Sequence, residues 1–87
     1  MSRRVVITGG ASGLGLAMAQ AFLGQGDRVA VCDADPAAVA VLPDGLRAEV
    51  ADVTDEAAMA GFLGRVEAEW GGADLVISNA GIGGPAG

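Results

Sequence analysis

Four glycines, Gly9, Gly10, Gly13 and Gly15, stand between a β-branched run and an alanine-rich stretch. Glycine is poor inside helices and strands, but it serves where the backbone needs a positive φ or where a ligand must touch the main chain. A turn between a strand and a helix also presents free N–H groups and the positive end of the helix dipole, which suit a pyrophosphate. Because of these free N–H groups and this dipole, the glycines favour nucleotide binding. The alternative is that they only permit a tight turn, with no ligand.

The spacing of the glycines narrows the type of nucleotide site. A phosphate-binding P-loop needs a lysine after its last glycine, and Leu16 stands there. The G-x-G-x-x-G fingerprint fails as well, because Met18 occupies the place of the third glycine after Gly13 and Gly15. What remains is the spacing Thr8-Gly-x-x-x-Gly-x-Gly.

An acidic residue follows where dinucleotide binding requires one. Asp33 ends the second predicted strand, 18 residues after Gly15, close to the roughly 20-residue spacing at which an acid accepts the ribose hydroxyls. A solvated carboxylate at a strand end is the alternative. A carboxylate here would repel the 2′-phosphate of NADP, and neither Ser12 nor Ala34 supplies a positive charge. The sequence therefore predicts NAD as the cofactor and disfavours NADP.

Two further segments follow predicted strands at the same edge of the sheet. Asp52 can accept a hydrogen bond from an adenine amino group while Val53 packs against the ring, although an acid at a helix start is the alternative. Asn79 can bridge the backbones of neighbouring strand ends, and Gly81 leaves room for a ligand.

These residues need a framework of alternating strands and helices. Apolar runs predict strands over residues 4–8, 28–32, 46–50 and 75–78, with helices from Gly13 to about Gly24, over 37–42, and from the N-cap Thr54 to Gly71. Helical spacing predicts buried faces made of Leu14, Ala17, Met18, Ala21 and Phe22, and of Met59, Phe62, Leu63, Val66 and Trp70.

The order β-α-β-α-β-α-β, with strands that look buried on both faces, is typical of a parallel sheet with right-handed crossovers. The predicted fold is α/β, a single Rossmann-type doubly wound domain over residues 1–87 with strand order 3-2-1-4. The order places the fourth strand beside the first.

Composition excludes several partners. A net charge of −6 and a pI of about 4.1 argue against nucleic acid and anionic membranes, which basic patches normally bind. The single cysteine, Cys32, cannot form an internal disulfide or a zinc site by itself, and we interpret it as a packing residue in a reducing, cytoplasmic setting. No apolar run approaches the roughly 20 residues of a membrane span. An export signal is disfavoured because Thr8 and the glycines interrupt the apolar segment.

Taken together, TGGASGLG, VCD, ADVTD and ISNAG resemble the classical short-chain dehydrogenase/reductase family along nearly all of the 87 residues. The resemblance implies hydride transfer between a nicotinamide dinucleotide and an alcohol or carbonyl in the complete protein, which is expected to be a homo-oligomer. Ser78 departs mildly from the family, which usually has Asn there. The candidate cofactor-binding residues are Gly9, Ser12, Gly13, Leu14, Gly15, Asp33, Asp52, Val53, Asn79, Ala80 and Gly81.

The family's catalytic residues are missing from this sequence. The resemblance implies a Tyr-x-x-x-Lys pair, in which the lysine lowers the pKa of the tyrosine, but the chain contains no Tyr and its five positive charges are all Arg. We therefore assign no catalytic and no metal-binding residue. We expect the chain to be the N-terminal cofactor-binding portion, truncated after the fourth strand.

Two other functions share many of these motifs. A non-catalytic nucleotide-binding remnant has all of them, and sequence does not separate it from a plain fragment. A Rossmann-like methyltransferase would usually have an acid at the end of its first strand, where Thr8 stands, and is disfavoured.

Overall fold

The computed structural model describes residues 2–11 and 13–79. Strands and helices alternate along this part of the chain. They are β1 (Arg4–Thr8), α1 (Gly13–Gly24), β2 (Arg28–Asp33), α2 (Pro36–Ala40), β3 (Arg47–Val50), α3 (Glu56–Trp70) and β4 (Leu75–Ser78).

The four strands form one parallel sheet in the order β3-β2-β1-β4, which confirms the predicted topology. In register, Thr8 of β1 pairs with Cys32 of β2 and with Ser78 of β4. The carboxyl ends of these three strands therefore lie side by side. The glycine-rich turn and Asn79 leave the sheet at this edge.

Helices cover both faces of the sheet. Val5, Ile7, Val29 and Val31 point to the α1 side, where Ala19 completes a fully buried cluster. The other face carries a second cluster, whose buried members are Val6, Ala30, Cys32, Ala51, Phe62 and Val66. Two thin cores thus hold the central strands from opposite sides.

The buried face of α1 agrees with the prediction only in part, since Met18 and Phe22 are half-buried against the sheet as expected. Gly15 and Ala19 are its buried residues, whereas Leu14 is 61% exposed and Ala17 and Ala21 are also exposed. Gln20 is the one polar side chain in α1, so the apolar residues run all around the helix and their spacing does not mark a face. Gly15 and Ala19 are buried fully because they are small and allow the helix to approach the sheet closely.

Helix α3 also corrects the sequence analysis in two places. Its N-cap is Asp55, whose carboxylate accepts the Ala58 N–H at 3.1 Å, and the predicted cap Thr54 is instead bonded to Asp52. Phe62 and Val66 are buried as expected, but Leu63 is 42% exposed. Leu63 stands one position from Phe62, about 100° around the helix, and this rotation carries it off the sheet.

Burial on both faces holds for β1 and β2 alone. Residues of β3 and β4 are half-buried or exposed because each of these strands has one neighbour among the described strands. On the α3 side of β3, Arg47 and Glu49 form ion pairs with each other, and Glu49 also pairs with Arg65 of α3. These charges replace apolar packing at that edge.

The helices of the described part of the chain are too short or too polar to span a bilayer.

Candidate functional site

The site begins with the turn that follows β1. Gly9 adopts a φ of 68°, which favours glycine because other residues are strained in this region. The N–H groups of Gly9 and Gly10 both donate to the carbonyl of Cys32, at 2.7 Å and 3.2 Å. The turn therefore folds over the end of β2.

Asn79 fixes the same turn from the opposite side. Its Nδ2 donates to the Gly9 carbonyl at 3.1 Å, and its backbone N–H donates to the Thr8 hydroxyl at 3.1 Å. Gly15 lies directly beneath this contact, since a Cβ there would stand 2.6 Å from the Asn79 Nδ2 and even closer to the Gly9 carbonyl oxygen. Gly15 thus allows the first turn of α1 to pack against the turn after β1.

The start of α1 is open toward solvent. Gly13 has a φ of 58°, and a Cβ built there would meet nothing within 4 Å. The first turn of the helix carries no acidic residue, so no side chain there compensates the positive end of the helix dipole. Leu14, the next residue, is also exposed. Apart from the adjacent residues of the chain, no atom of the described residues crowds Gly13, and an anion can approach the backbone N–H groups at this helix start.

Asp33 lies next to this turn and is half-buried. Its Oδ2 accepts the Ala11 N–H at 3.3 Å and its Oδ1 accepts the Asp35 N–H at 3.1 Å. An ionised carboxylate offers about four acceptor positions, so roughly two remain for a ligand. The structure therefore brings Asp33 together with the glycine-rich turn, with its carboxylate oriented by two backbone donors.

Asp52 and Val53 are more exposed. The Asp52 carboxylate accepts the Thr54 N–H at 2.9 Å and the Thr54 hydroxyl at 2.7 Å. These two bonds, the one from the backbone N–H above all, lower the pKa of Asp52. Val53 is 41% exposed. A backbone bond from Ala51 to the Asp33 carbonyl, 3.0 Å long, holds this segment beside the end of β2.

The remaining candidates, Ser12, Ala80 and Gly81, lie outside the described residues. Among the others, the structure joins Gly9, Gly15 and Asn79 by direct contact and Asp33 through Ala11. Asp52 and Val53 follow the end of β3, so they lie one strand further along the same edge of the sheet.

Gly10 has a structural role that the spacing of the glycines does not predict. Gly10 is buried, and a Cβ there would lie 2.6 Å from Cγ1 and 2.7 Å from Cβ of Val31. The sequence likewise does not predict that the backbone N–H of its neighbour Ala11 donates to Asp33. The signal for Gly10 was present, since it belongs to the glycine cluster, but its partner on β2 is a feature of the tertiary structure.

Cys32 is a packing residue, as predicted. It is fully buried beneath the turn, 3.8 Å from the Met59 sulfur, and burial raises the pKa of its thiol. Within the described residues there is no cluster of acidic, cysteine and histidine side chains that could hold a metal ion.

Comparison with known proteins agrees with this geometry. The family model for short chain dehydrogenase matches residues 3–87. Galactitol 2-dehydrogenase from Agrobacterium fabrum is 38% identical over 81 residues, which are 88% of this chain and 32% of that protein. The 3-oxoacyl-(acyl-carrier-protein) reductase MabA from Mycobacterium avium is 40% identical over 82 residues, 94% of this chain and 31% of the reductase.

A solved structure shares the fold as well. The 3-ketoacyl-(acyl-carrier-protein) reductase from Brucella melitensis, complexed with NADH, superposes with a TM-score of 0.74 and 29% identity over 83% of this chain and 31% of that one. The chain spans about a third of the length of the curated relatives it matches. Because the family model covers nearly every residue, and the sheet order and the turn agree with it, this chain belongs to the short-chain dehydrogenase family.

Proposed function

We propose that the chain binds the adenosine and pyrophosphate part of a nicotinamide dinucleotide. The observation that carries the proposal is the start of α1, where a Cβ on Gly13 would meet nothing within 4 Å and the first turn of the helix carries no acidic residue of its own. Asp33 supplies a carboxylate beside this opening. Similarity to a reductase complexed with NADH supports the proposal.

Within the complete protein, we propose an oxidoreductase that transfers hydride between nicotinamide and an alcohol or carbonyl. This chain would supply the dinucleotide-binding portion as one domain, and the complete protein would form a homo-oligomer. The sequence holds neither the Tyr nor the Lys expected for proton transfer, so we expect no turnover from the 87 residues alone. The unpaired, buried Cys32 supports a reducing, cytoplasmic location.

NAD is the proposed form of the cofactor. Asp33 keeps free acceptor positions that suit two ribose hydroxyls, whereas its charge would repel a 2′-phosphate. The alternative of a non-catalytic nucleotide-binding protein shares this site and differs only in the absence of chemistry from the complete protein.

Titration of the purified chain with NADH and with ADP-ribose, followed by fluorescence and calorimetry, tests the proposed binding. Gly15→Ala should abolish binding, because its Cβ would collide with the turn and with Asn79. Gly24→Ala is the matched control in the same helix, since a Cβ there meets nothing within 4 Å. Circular dichroism establishes that both variants fold. Failure of the wild-type chain to bind ADP-ribose at millimolar concentration would refute the proposal.

The cofactor form has its own test. The wild-type chain should bind NADH more tightly than NADPH, and the double substitution Asp33→Ala with Ala34→Arg should reverse that preference. A wild-type preference for NADPH of about tenfold or more, which corresponds to ~1.4 kcal/mol, would overturn the assignment of NAD.

A further inference from the structure

The glycine-rich turn rests on a single side chain of the neighbouring strand. Val31 of β2 is fully buried, and it lies directly below Gly10. A Cβ on Gly10 would stand 2.6 Å from Cγ1 and 2.7 Å from Cβ of Val31, and 3.3 Å from the Ile7 carbonyl oxygen. Real Cβ atoms do not approach other atoms this closely, so Gly10 and Val31 fit each other only because Gly10 has no side chain.

Val31 cannot move aside to relieve such a contact. It is packed in the cluster on the α1 side of the sheet, together with Val5, Ile7, Ala19 and Val29. Its Cβ is attached rigidly to the backbone of a central strand, and a β-branched side chain has few rotamers available. Any added volume at Gly10 must therefore lift the turn instead of displacing the strand.

The distance between the glycine-rich turn and β2 determines where the N–H groups of the turn lie. Gly9 and Gly10 are bonded to the Cys32 carbonyl, the residue next to Val31, and Ala11 is bonded to Asp33. Lifting the turn lengthens these bonds and shifts the path of the chain into Gly13 at the start of α1. The same shift would move the groups proposed to bind the pyrophosphate.

We propose that Val31 is a positioning residue for the dinucleotide site, acting through its contact with Gly10 and touching no ligand itself. The pair sets the depth at which the turn lies on β2, and substitutions at the two positions must compensate each other in volume. This inference rests on the proposed binding of a dinucleotide, but the position of the turn can also be measured without any ligand.

The test compares Gly10→Ala with two double variants. Gly10→Ala should weaken NADH binding by about tenfold or more, a change easily resolved by titration. Adding Val31→Gly removes both the Cγ1 and the Cβ contact and should restore part of the affinity while lowering the free energy of unfolding further. Adding Val29→Gly, which empties the same buried cluster two residues earlier, should lower stability without restoring affinity.

A ligand-free measurement separates this inference from the proposed function. In the wild-type background, Val31→Ala should speed amide hydrogen exchange at Gly9 and Gly10 more than Val29→Ala does, even if Gly10→Ala fails to fold. If the chain binds no NADH but this difference in exchange is seen, the proposed function fails and the positioning of the turn stands. Equal exchange in Val31→Ala and Val29→Ala, or equal rescue of Gly10→Ala by Val31→Gly and Val29→Gly, would overturn the role of Val31.

Discussion

The side-chain amide of Asn79 donates to the carbonyl of Gly9 at 3.1 Å, which joins the end of β4 to the turn that follows β1. The two residues are 70 positions apart in the chain. Their contact, with the bond from the Asn79 N–H to Thr8, ties the last described residue to the first strand. The shape of the proposed pyrophosphate site therefore depends on a residue that needs no contact with the ligand to have this effect.

Replacing Asn79 with Asp tests this contact with little change in shape. A carboxylate oxygen would face the Gly9 carbonyl in place of the N–H donor, so two acceptors would meet in a half-buried position. We expect a loss of about 1–3 kcal/mol in the free energy of unfolding, the cost of an unsatisfied polar group, and weaker NADH binding. Ser78→Ala, one residue earlier and exposed, is the control and should change neither quantity. The contact is unimportant if both variants unfold at the same denaturant concentration.

Asp74 and Arg4 should make stability depend on pH in acid. Arg4 donates to both oxygens of Asp74, at 3.1 Å from Nε and 3.0 Å from a terminal guanidinium nitrogen, and these bonds lower the pKa of Asp74 from 3.8 to about 2. Because the folded-state pKa is the lower one, the stabilisation is fully present above about pH 4 and is lost as the pH falls toward 2.

Asp74→Asn should remove this part of the acid sensitivity. The difference in unfolding free energy between wild type and variant should be constant from pH 5 to 7 and shrink between pH 4 and 2. Asp44→Asn, at an exposed position before β3, is the matched control. A difference that stays constant down to pH 2 would contradict the assigned pKa.

Neighbouring residues of α3 should respond very differently to truncation. Phe62 is fully buried in the cluster that joins α3 to the sheet, whereas Leu63 is 42% exposed. Phe62→Ala should cost about 3–5 kcal/mol, a loss large enough to unfold a small domain. Leu63→Ala should change the free energy of unfolding by less than about 0.5 kcal/mol. Denaturant melts of the two variants test which side of α3 faces the sheet. Equal losses of unfolding free energy would contradict the orientation in which Phe62 faces the sheet and Leu63 faces solvent.

Helix α3 should gain stability when Gly64 becomes alanine. A Cβ at Gly64 meets nothing within 4 Å, and the residue is exposed in the middle of the helix. Alanine restricts the unfolded chain more than glycine does, so the gain should be about 0.5–1 kcal/mol. At Gly61 the added Cβ would lie 3.1 Å from a guanidinium nitrogen of Arg65, so the gain there should be smaller. Thermal unfolding followed at 222 nm, the helical band, is a suitable measurement, and no gain at Gly64 would contradict the open geometry.

Strand β4 should make the chain prone to self-association. It pairs with β1 on one side only within the described sheet, and Val76 is 55% exposed on the α3 face. Because a charge on an edge strand discourages further pairing, Val76→Lys should shift sedimentation toward the monomer. Val41→Lys replaces a valine that is 80% exposed away from this strand, and it should leave sedimentation unchanged. A wild-type chain that is already monomeric at high concentration would rule out the association.

Much of this fold could be predicted from the sequence, because short apolar runs separated by glycines mark the strands locally. The runs over Arg4–Thr8 and Leu75–Ser78 have the bounds that the spacing predicted, and the strand order follows from the doubly wound topology. Asp33 and the glycines were identifiable because their types and spacing carry the chemistry of dinucleotide binding. Their roles toward a ligand remain a proposal.

Other features were decided by contacts between residues distant in the chain. The sequence favoured Thr54 as the cap of α3, but Thr54 is bonded to Asp52, and Asp55 takes that place. Periodicity identified Met18 and Phe22 of α1 but not the fully buried Ala19, because the helix is apolar on every side and packing against the sheet selects the buried face.

The fit of Gly10 on Val31 is also decided by a contact between residues distant in the chain. Glycine at that position is visible in the sequence, but its reason is the volume of a valine on another strand, 21 residues later. Residue type and local spacing determine which elements form and which groups are available for chemistry. Long-range packing determines how close those groups lie, because the distance between two elements depends on the side chains that happen to meet there.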